Sequence, residues 1–389
     1  MASELAIPPA QERRDSAEIA IAGVAGIALA LVLLFVLAVP AAGNLSAARD
    51  FVSYWATGQQ LVHHHNPYDR VAIAAIEHSA GLDPRATLIM RNPPWALPLV
   101  LPLGLLGPRI GAILWTLILL GCLLLSVWMV HELHGAPPSR IHWLAFAFTP
   151  CLICLFMGQT SLFSLLGLVL FFRLYLTRPF LAGAALWLCA LKPHLFLPFA
   201  AALALWIVVS RSYKVLAGFI AALAVSSIAA SLVDPRAWRD YIQLMRSPAV
   251  ENDFIPCLAV AARQWFFPNV PWLQYLPAAI CCVWALIYYW QRRAHWDWVA
   301  NGSPLMLVSL VFAPYCWLYD QCLAMPALIH GAYTTRTRSL LALLALLSLA
   351  ACIELGFVKV ISPWWLWTAP VWFAWYLVAA HRKAASAAS

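Results

Sequence analysis

The chain has 389 residues, 63% of them hydrophobic and 10% charged, with a mean hydropathy of +0.80. That composition excludes a soluble domain of this length, and long unbroken apolar runs exclude a membrane β-barrel, whose strands would alternate. The formal net charge of +8 is read as Lys and Arg in the cytoplasmic loops of an all-α polytopic membrane protein, not as a nucleic-acid footprint.

Residues 1–17 form a polar tail that carries Arg13 and Arg14. The apolar run 18–39 has Glu18 as its one ionisable residue and is long enough to cross a bilayer. The positive-inside rule places the N-terminus in the cytoplasm. The run shows no small-residue cleavage site, so it is expected to stay as the first membrane helix. Just beyond it lies Arg49-Asp50-Phe51-Val52-Ser53-Tyr54-Trp55. Aromatic rings favour the headgroup level, so Asp50 is expected at the extracytoplasmic surface. Arg49 would favour its ionised form.

Residues 50–62 read as an amphipathic helix lying on that surface, and Asp69 as the cap of a helix over 70–80. In His63-His64-His65, three consecutive side chains cannot all face one ion from a helix. Headgroup or phosphate contact suits them better, and no metal site is expected. Arg91-Asn92-Pro93-Pro94-Trp95 opens an apolar stretch broken by Pro98, Pro102, Gly104 and Gly107. It predicts a re-entrant or interfacial segment that must be buried in protein or line a cavity. Residues 41–109 thus form the first extracytoplasmic loop.

Further spans are expected near 110–130, 141–157, 160–173, 180–191, 195–210, 215–233, 272–290, 298–314, 318–333, 338–356 and 364–380. With the first helix this makes about twelve spans in a single integral membrane domain, residues 1–389, with both termini cytoplasmic. The turns Arg173/Arg178, Arg211/Lys214, Arg292/Arg293 and Arg336/Arg338 then all fall on the cytoplasmic side, as does the tail pair Arg382/Lys383. A second extracytoplasmic loop, 234–271, keeps Arg236, Arg239, Arg246 and Arg263 outside against the rule. Arginines held there can serve an anion. The 10 cysteines, the Cys151/Cys154 and Cys281/Cys282 pairs included, read as small apolar packing residues.

Three polar, Pro- or Gly-broken motifs fall at external junctions: Gly158-Gln159-Thr160-Ser161, Lys192-Pro193-His194 and Ala313-Pro314 through Asp320. Ionisable residues inside membrane segments are costly and usually functional. Their gathering on one face, with Asp50 and Arg91, points to a cavity open to the outer leaflet. Lys192 either snorkels or offers a cation to a phosphate. Gln159 either ties two helices together or binds substrate. Asp320 sits just inside a span and needs a partner, either Lys192 or an arginine.

Asp50-Phe51 with Tyr54-Trp55, Asn66-Pro67-Tyr68-Asp69, Arg91-Asn92-Pro93-Pro94, Gly158-Gln159, Lys192-Pro193 and the Pro314-Tyr315 to Asp320 segment together resemble glycosyltransferase family 87. That family includes polyprenyl-phosphate-mannose-dependent mannosyltransferases. The resemblance spans residues from about 45 to 335. It implies a GT-C fold, an extracytoplasmic active site and an acid in the first outer loop, which by position is Asp50. One departure stands out. Some members carry a functional His shortly after a Pro-x-x-Trp segment, whereas Leu318, Tyr319 and Asp320 follow Trp317 here.

The expected chemistry follows. A lipid-phosphate sugar carries its own leaving group, so one carboxylate, Asp50, suffices as general base. Cations hold the departing phosphate, from among Arg91, Lys192, His194 and Arg263; Gln159 and Asp320 complete the substrate site. One base opposite the leaving group implies inversion. No Gly-rich nucleotide loop is visible, which favours a lipid-linked donor. No D-x-D pair stands beside Asp50, and no cofactor is called for. The expected partners are a polyprenyl-phosphate-sugar donor, a lipid or glycan acceptor and membrane lipids of the plasma membrane. The rival reading is a lipid or sugar transporter or flippase, which would need alternating access and usually inverted repeats.

Overall fold

The structure is a computed structural model, and it describes residues 23–34, 50–82, 87–247, 254–335 and 337–387. The expectations for the N-terminal tail, for Arg49 and for Arg336 lie outside the described residues. Among the described residues every regular element is helical.

Helix α1 (Gly23–Leu34) comes first. Asp50 then precedes α2 (Phe51–Val62). A surface position was expected for α2, but every residue from Phe51 to Gly58 is buried. The reason is the broken apolar segment that crosses it: a 3-10 turn (Pro94–Ala96), α4 (Leu97–Val100) and a second 3-10 turn (Leu101–Leu105). At the crossing the two backbones touch. A Cβ added to Gly104 would lie 2.1 Å from the Gly58 carbonyl oxygen. The Gln59 side chain donates to the Gly104 carbonyl at 2.7 Å, and the Trp55 indole donates to that of Leu106 at 3.0 Å. The irregular backbone is thus satisfied inside protein, the condition under which it is tolerated at membrane depth. Between these two parts lies α3 (Arg70–Ser79), whose first turn is capped by Asp69 accepting from the Val71 and Ala72 amides.

The bundle continues through α5 (Pro108–Leu133), α6 (Thr149–Met157), α7 (Ser161–Leu174), α8 (Pro179–Cys189), α9 (Leu197–Val209) and α10 (Tyr213–Val233). Two short helices follow, α11 (Ala237–Met245) and α12 (Leu258–Phe266). Then come α13 (Leu276–Arg292), α14 (Trp298–Val311), α15 (Met325–Thr334), α16 (Arg338–Glu354) and α17 (Thr368–Ala387).

Among the described residues, three helical stretches are long and apolar enough to cross a membrane: Pro108–Leu133, Tyr213–Val233 and Pro271–His295. Their outward side chains, such as Leu117, Leu124, Ile220, Leu232, Ile280 and Ile287, are exposed and suited to lipid. Among the described residues, unbroken helices of that length thus account for three of the about twelve expected spans, and shorter apolar helices accompany them. α7, at 14 residues, rises about 21 Å, short of the roughly 30 Å hydrocarbon core. Such helices stop early because their ends meet Pro-broken polar motifs instead of lipid.

Apolar burial gains little when the alternative is lipid, so close packing must hold the helices together. An aromatic cluster does so around Trp298. Phe199, Phe171 and Trp206 surround it with ring centroids 5.0, 5.2 and 5.6 Å away.

The α2 crossing gives a stability test. Gly104→Ala should lower the thermal unfolding midpoint in detergent, at a cost of about 1–3 kcal/mol or more from overpacking. Gly121→Ala, where nothing lies within 4 Å, should leave it unchanged or slightly raised. Equal midpoints for the two variants would mean that the crossing relaxes freely.

Candidate active site

α6 ends at Gly158, which takes a left-handed conformation (φ 75°) and lies so close to Phe51 that a Cβ would sit 2.9 Å from the Phe51 Cβ. The Trp115 indole donates to the Gly158 carbonyl at 2.7 Å. The chain turns there and delivers Gln159 at the junction with α7. α8 stops at Cys189, and Pro193 opens a 3-10 turn before α9, so Lys192 falls in the break. Two side chains of the first loop hold that break. Asn92 donates to the Leu191 carbonyl at 2.8 Å and Trp95 to the Ala190 carbonyl at 2.9 Å. A third break lies between α14 and α15, where the 3-10 segment Leu318–Ala324 carries Asp320.

These breaks meet Asp50 around one cavity of about 420 Å³. Its wall includes Asp50, Arg91, Gln159, Lys192, His194 and Asp320, so six of the residues singled out from sequence share it. Arg263 is buried in α12 and does not line this cavity. Arg236, Arg239 and Arg246 are exposed and do not line it either. A second cavity, about 320 Å³, is walled by apolar side chains of α1, α6, α15 and α16. Its one hydroxyl side chain, Ser348, is already engaged with Thr149. Of these two cavities, the first holds acids and bases in reach of one another.

A continuous polar chain runs through it. Lys192 Nζ donates to Asp320 Oδ1 at 2.7 Å and to Gln159 Oε1 at 2.9 Å. Tyr54 donates its hydroxyl to the same Gln159 oxygen at 2.9 Å. Gln159 Nε2 in turn donates to Asp50 Oδ2. The ammonium also lies 4.8 Å from the centre of the Tyr319 ring.

Two of these residues take a definite setting. Asp320, read from sequence as needing either Lys192 or an arginine as partner, is the counter-ion of Lys192. It is 1% exposed, and its oxygens also accept from Ser161 Oγ at 2.5 Å and the Trp317 amide at 3.0 Å. With both oxygens engaged it is unsuited to take a proton from substrate. His194 was assigned as a cation for phosphate. Its ring stacks on Tyr315 at 3.6 Å, and its Nε2 is buried with no hydrogen-bond partner. Burial lowers its proton affinity below that of a free imidazole, with Asp320 acting against this and Lys192 adding to it.

Burial pushes the Asp50 carboxyl up to about 6, with Gln159 and then Lys192 pulling it back and Asp320 adding to the rise. Asp50 sits at the end of the bundle, ahead of α2 and outside the spans.

Sequence reasoning missed Tyr54 as a partner of Gln159, Ser161 as a partner of Asp320, and Asn92 as the tie to Leu191. All three belong to quoted motifs. Nothing at one-dimensional level separates them from the many aromatic and hydroxyl residues at membrane ends. It also missed Glu77 of α3, fully buried, which accepts from the Leu88 amide at 3.0 Å and so anchors the cavity wall at 87–91.

The ion pair yields a prediction. Lys192→Met or Asp320→Leu alone leaves a buried charge unpaired and should cost about 3–5 kcal/mol. The double substitution should recover part of the unfolding midpoint lost by either single variant. Simple addition of the two losses would show that the side chains do not act as a pair.

A model of glycosyltransferase family 87 matches residues 91–314. The match contains Arg91, Gln159, Lys192 and His194, while Asp50 and Asp320 lie outside it. No curated protein and no solved structure matches the chain. The family match covers more than half of the 389 residues, and the chain belongs to glycosyltransferase family 87.

Proposed function

We propose that this membrane glycosyltransferase moves a hexose, mannose-like, from a polyprenyl-phosphate donor to a hydroxyl of a lipid or glycan acceptor, with inversion at the anomeric carbon. The observation that carries the reading is the link from Asp50 through Gln159 to Lys192, which sets a near-neutral base and a cation on one cavity. The acceptor hydroxyl donates to Asp50, which takes its proton as the oxygen attacks C1. The C1–O bond to phosphate breaks on the opposite side, and its electron pair leaves with the phosphate. Lys192 has two of its three N–H donors engaged and keeps one for that phosphate. Arg91, on the same wall, supplies the second positive charge. With phosphate as the leaving group, this scheme calls for neither a general acid nor a metal.

The proposed sidedness rests on charge. α7, α8, α9 and α14 each meet the cavity at one end; at their other ends Arg173 lies in the last turn of α7, Arg178 precedes α8, Arg211 and Lys214 follow α9, and Arg293 precedes α14. Lys and Arg favour the cytoplasm, which puts the cavity on the extracytoplasmic face of the plasma membrane. A cysteine at exposed Arg70 should react with an impermeant maleimide added outside cells, and one at exposed Tyr213 should not. The reverse pattern would invert the topology.

The chemical test is transfer from polyprenyl-phosphate-mannose by purified protein. Asp50→Asn keeps the shape and removes the basicity, and should cost about 10²–10⁴-fold in turnover. A base works ionised, so wild-type turnover should rise as pH climbs through about 6 and be lost below it. Equal transfer by both proteins would remove Asp50 from the mechanism.

A further inference from the structure

We infer that Gln159 is a positioning residue for Asp50. Its amide, locked from behind by Lys192 and Tyr54, fixes one carboxylate oxygen and keeps the group ionised. The inference rests on the reading of Asp50 as base.

The argument begins with the donors. A glutamine side chain has one acceptor oxygen and an NH₂ group with two donor hydrogens. Gln159 Oε1 receives Lys192 Nζ and the Tyr54 hydroxyl, both at 2.9 Å. An ammonium cannot accept a hydrogen bond, so the amide cannot be reversed: its nitrogen would then face a cation. Nε2 is therefore forced towards Asp50 Oδ2. Among the described residues Gln159 is the side-chain donor to Asp50, and Asp50 lines the cavity. The cation on Oε1 also polarises the amide and makes its N–H the stronger donor. Gln159 thereby carries the influence of a buried charge to a carboxylate that the charge does not touch.

The groups facing Asp50 have opposite effects. Tyr54 comes from its own helix and Lys192 from the α8–α9 break. Asp320 and Tyr319 come from the 3-10 segment before α15, Arg91 from the first-loop wall and Glu77 from α3. Burial is the largest influence and raises the proton affinity of Asp50. The Gln159 hydrogen bond is the strongest influence against it, followed by Lys192, while Asp320 adds to the rise. Without the amide, Asp50 would be protonated at pH values where the enzyme needs a base.

The test reads Asp50 directly. Infrared titration of the purified full-length protein, taken as a difference against Asp50→Asn, isolates its protonated carboxyl band. The wild-type midpoint should fall near pH 6. In Gln159→Leu and in Gln159→Met, chosen for its similar length, it should rise by about one unit. The acid limb of mannose transfer should move by the same amount, with activity returning at alkaline pH. A midpoint unmoved in both variants, with transfer lowered equally at every pH, would overturn the inference and leave Gln159 as packing. The base reading fails by a different sign: Asp50→Asn would transfer sugar like wild type, whatever the infrared midpoint does.

Discussion

A buried ammonium in an apolar bundle is the constraint around which this structure is arranged. Taking a charge out of water costs several kcal/mol even after relaxation, and the cost falls only when partners surround it. Lys192 is 9% exposed, and its partners come from distant parts of the chain. Asp320 lies 128 residues away, and Gln159 lies 33 away. Asp320 must in turn be satisfied, and Ser161 and the Trp317 amide do that. Three helix breaks are drawn together by the needs of one side chain, and Asp50 joins them through Gln159.

The same constraint explains why so many helices are short. A helix that crosses the whole bilayer satisfies its own backbone and exposes none of it. The breaks at Gly158, Lys192 and Pro314 release carbonyls that need donors. Trp115 supplies one to Gly158, and Asn92 and Trp95 supply them to Leu191 and Ala190. The donors at 92 and 95 come from the first loop, whose broken segment is pinned to α2 at the Gly58–Gly104 contact. The loop that carries Asp50 and the loop that closes the α8–α9 break are thus one packed unit. The cavity is polar because its walls are the unfinished ends of helices.

The relation between acid and cation has chemical consequences. Direct contact between Asp50 and Lys192 would hold both charges in a single pair and leave little for a substrate. The amide between them keeps them apart and still lets each sense the other. Lys192 is held by Asp320 and so stays charged, while Asp50 is raised towards neutrality by burial. Two carboxylates near one cation thus take different parts, one a fixed counter-ion and one a group able to exchange a proton.

Much of this was legible in the chain itself. Composition required a membrane protein, and the long unbroken apolar runs made it helical, since a barrel's strands would alternate. Segment ends near 110–130, 160–173 and 215–233 agree with α5, α7 and α10 to within a few residues, since an apolar run and the helix it forms stop at the same polar or Pro- and Gly-containing junctions. The motifs around Asp50, Arg91, Gln159, Lys192 and Asp320 stood out because polar residues in such a chain are few and costly. Their roles did not follow. Whether Asp320 binds substrate or neutralises Lys192, whether His194 is charged, and whether Arg263 reaches the cavity all depend on distances of a few ångströms between segments far apart in sequence. Burial of α2 was hidden for the same reason: an amphipathic pattern shows that a helix has two faces, not what packs on the second. Residue types and their spacing determined which groups the membrane would have to accommodate, and the tertiary structure alone decided which of them neutralise one another and which remain for chemistry.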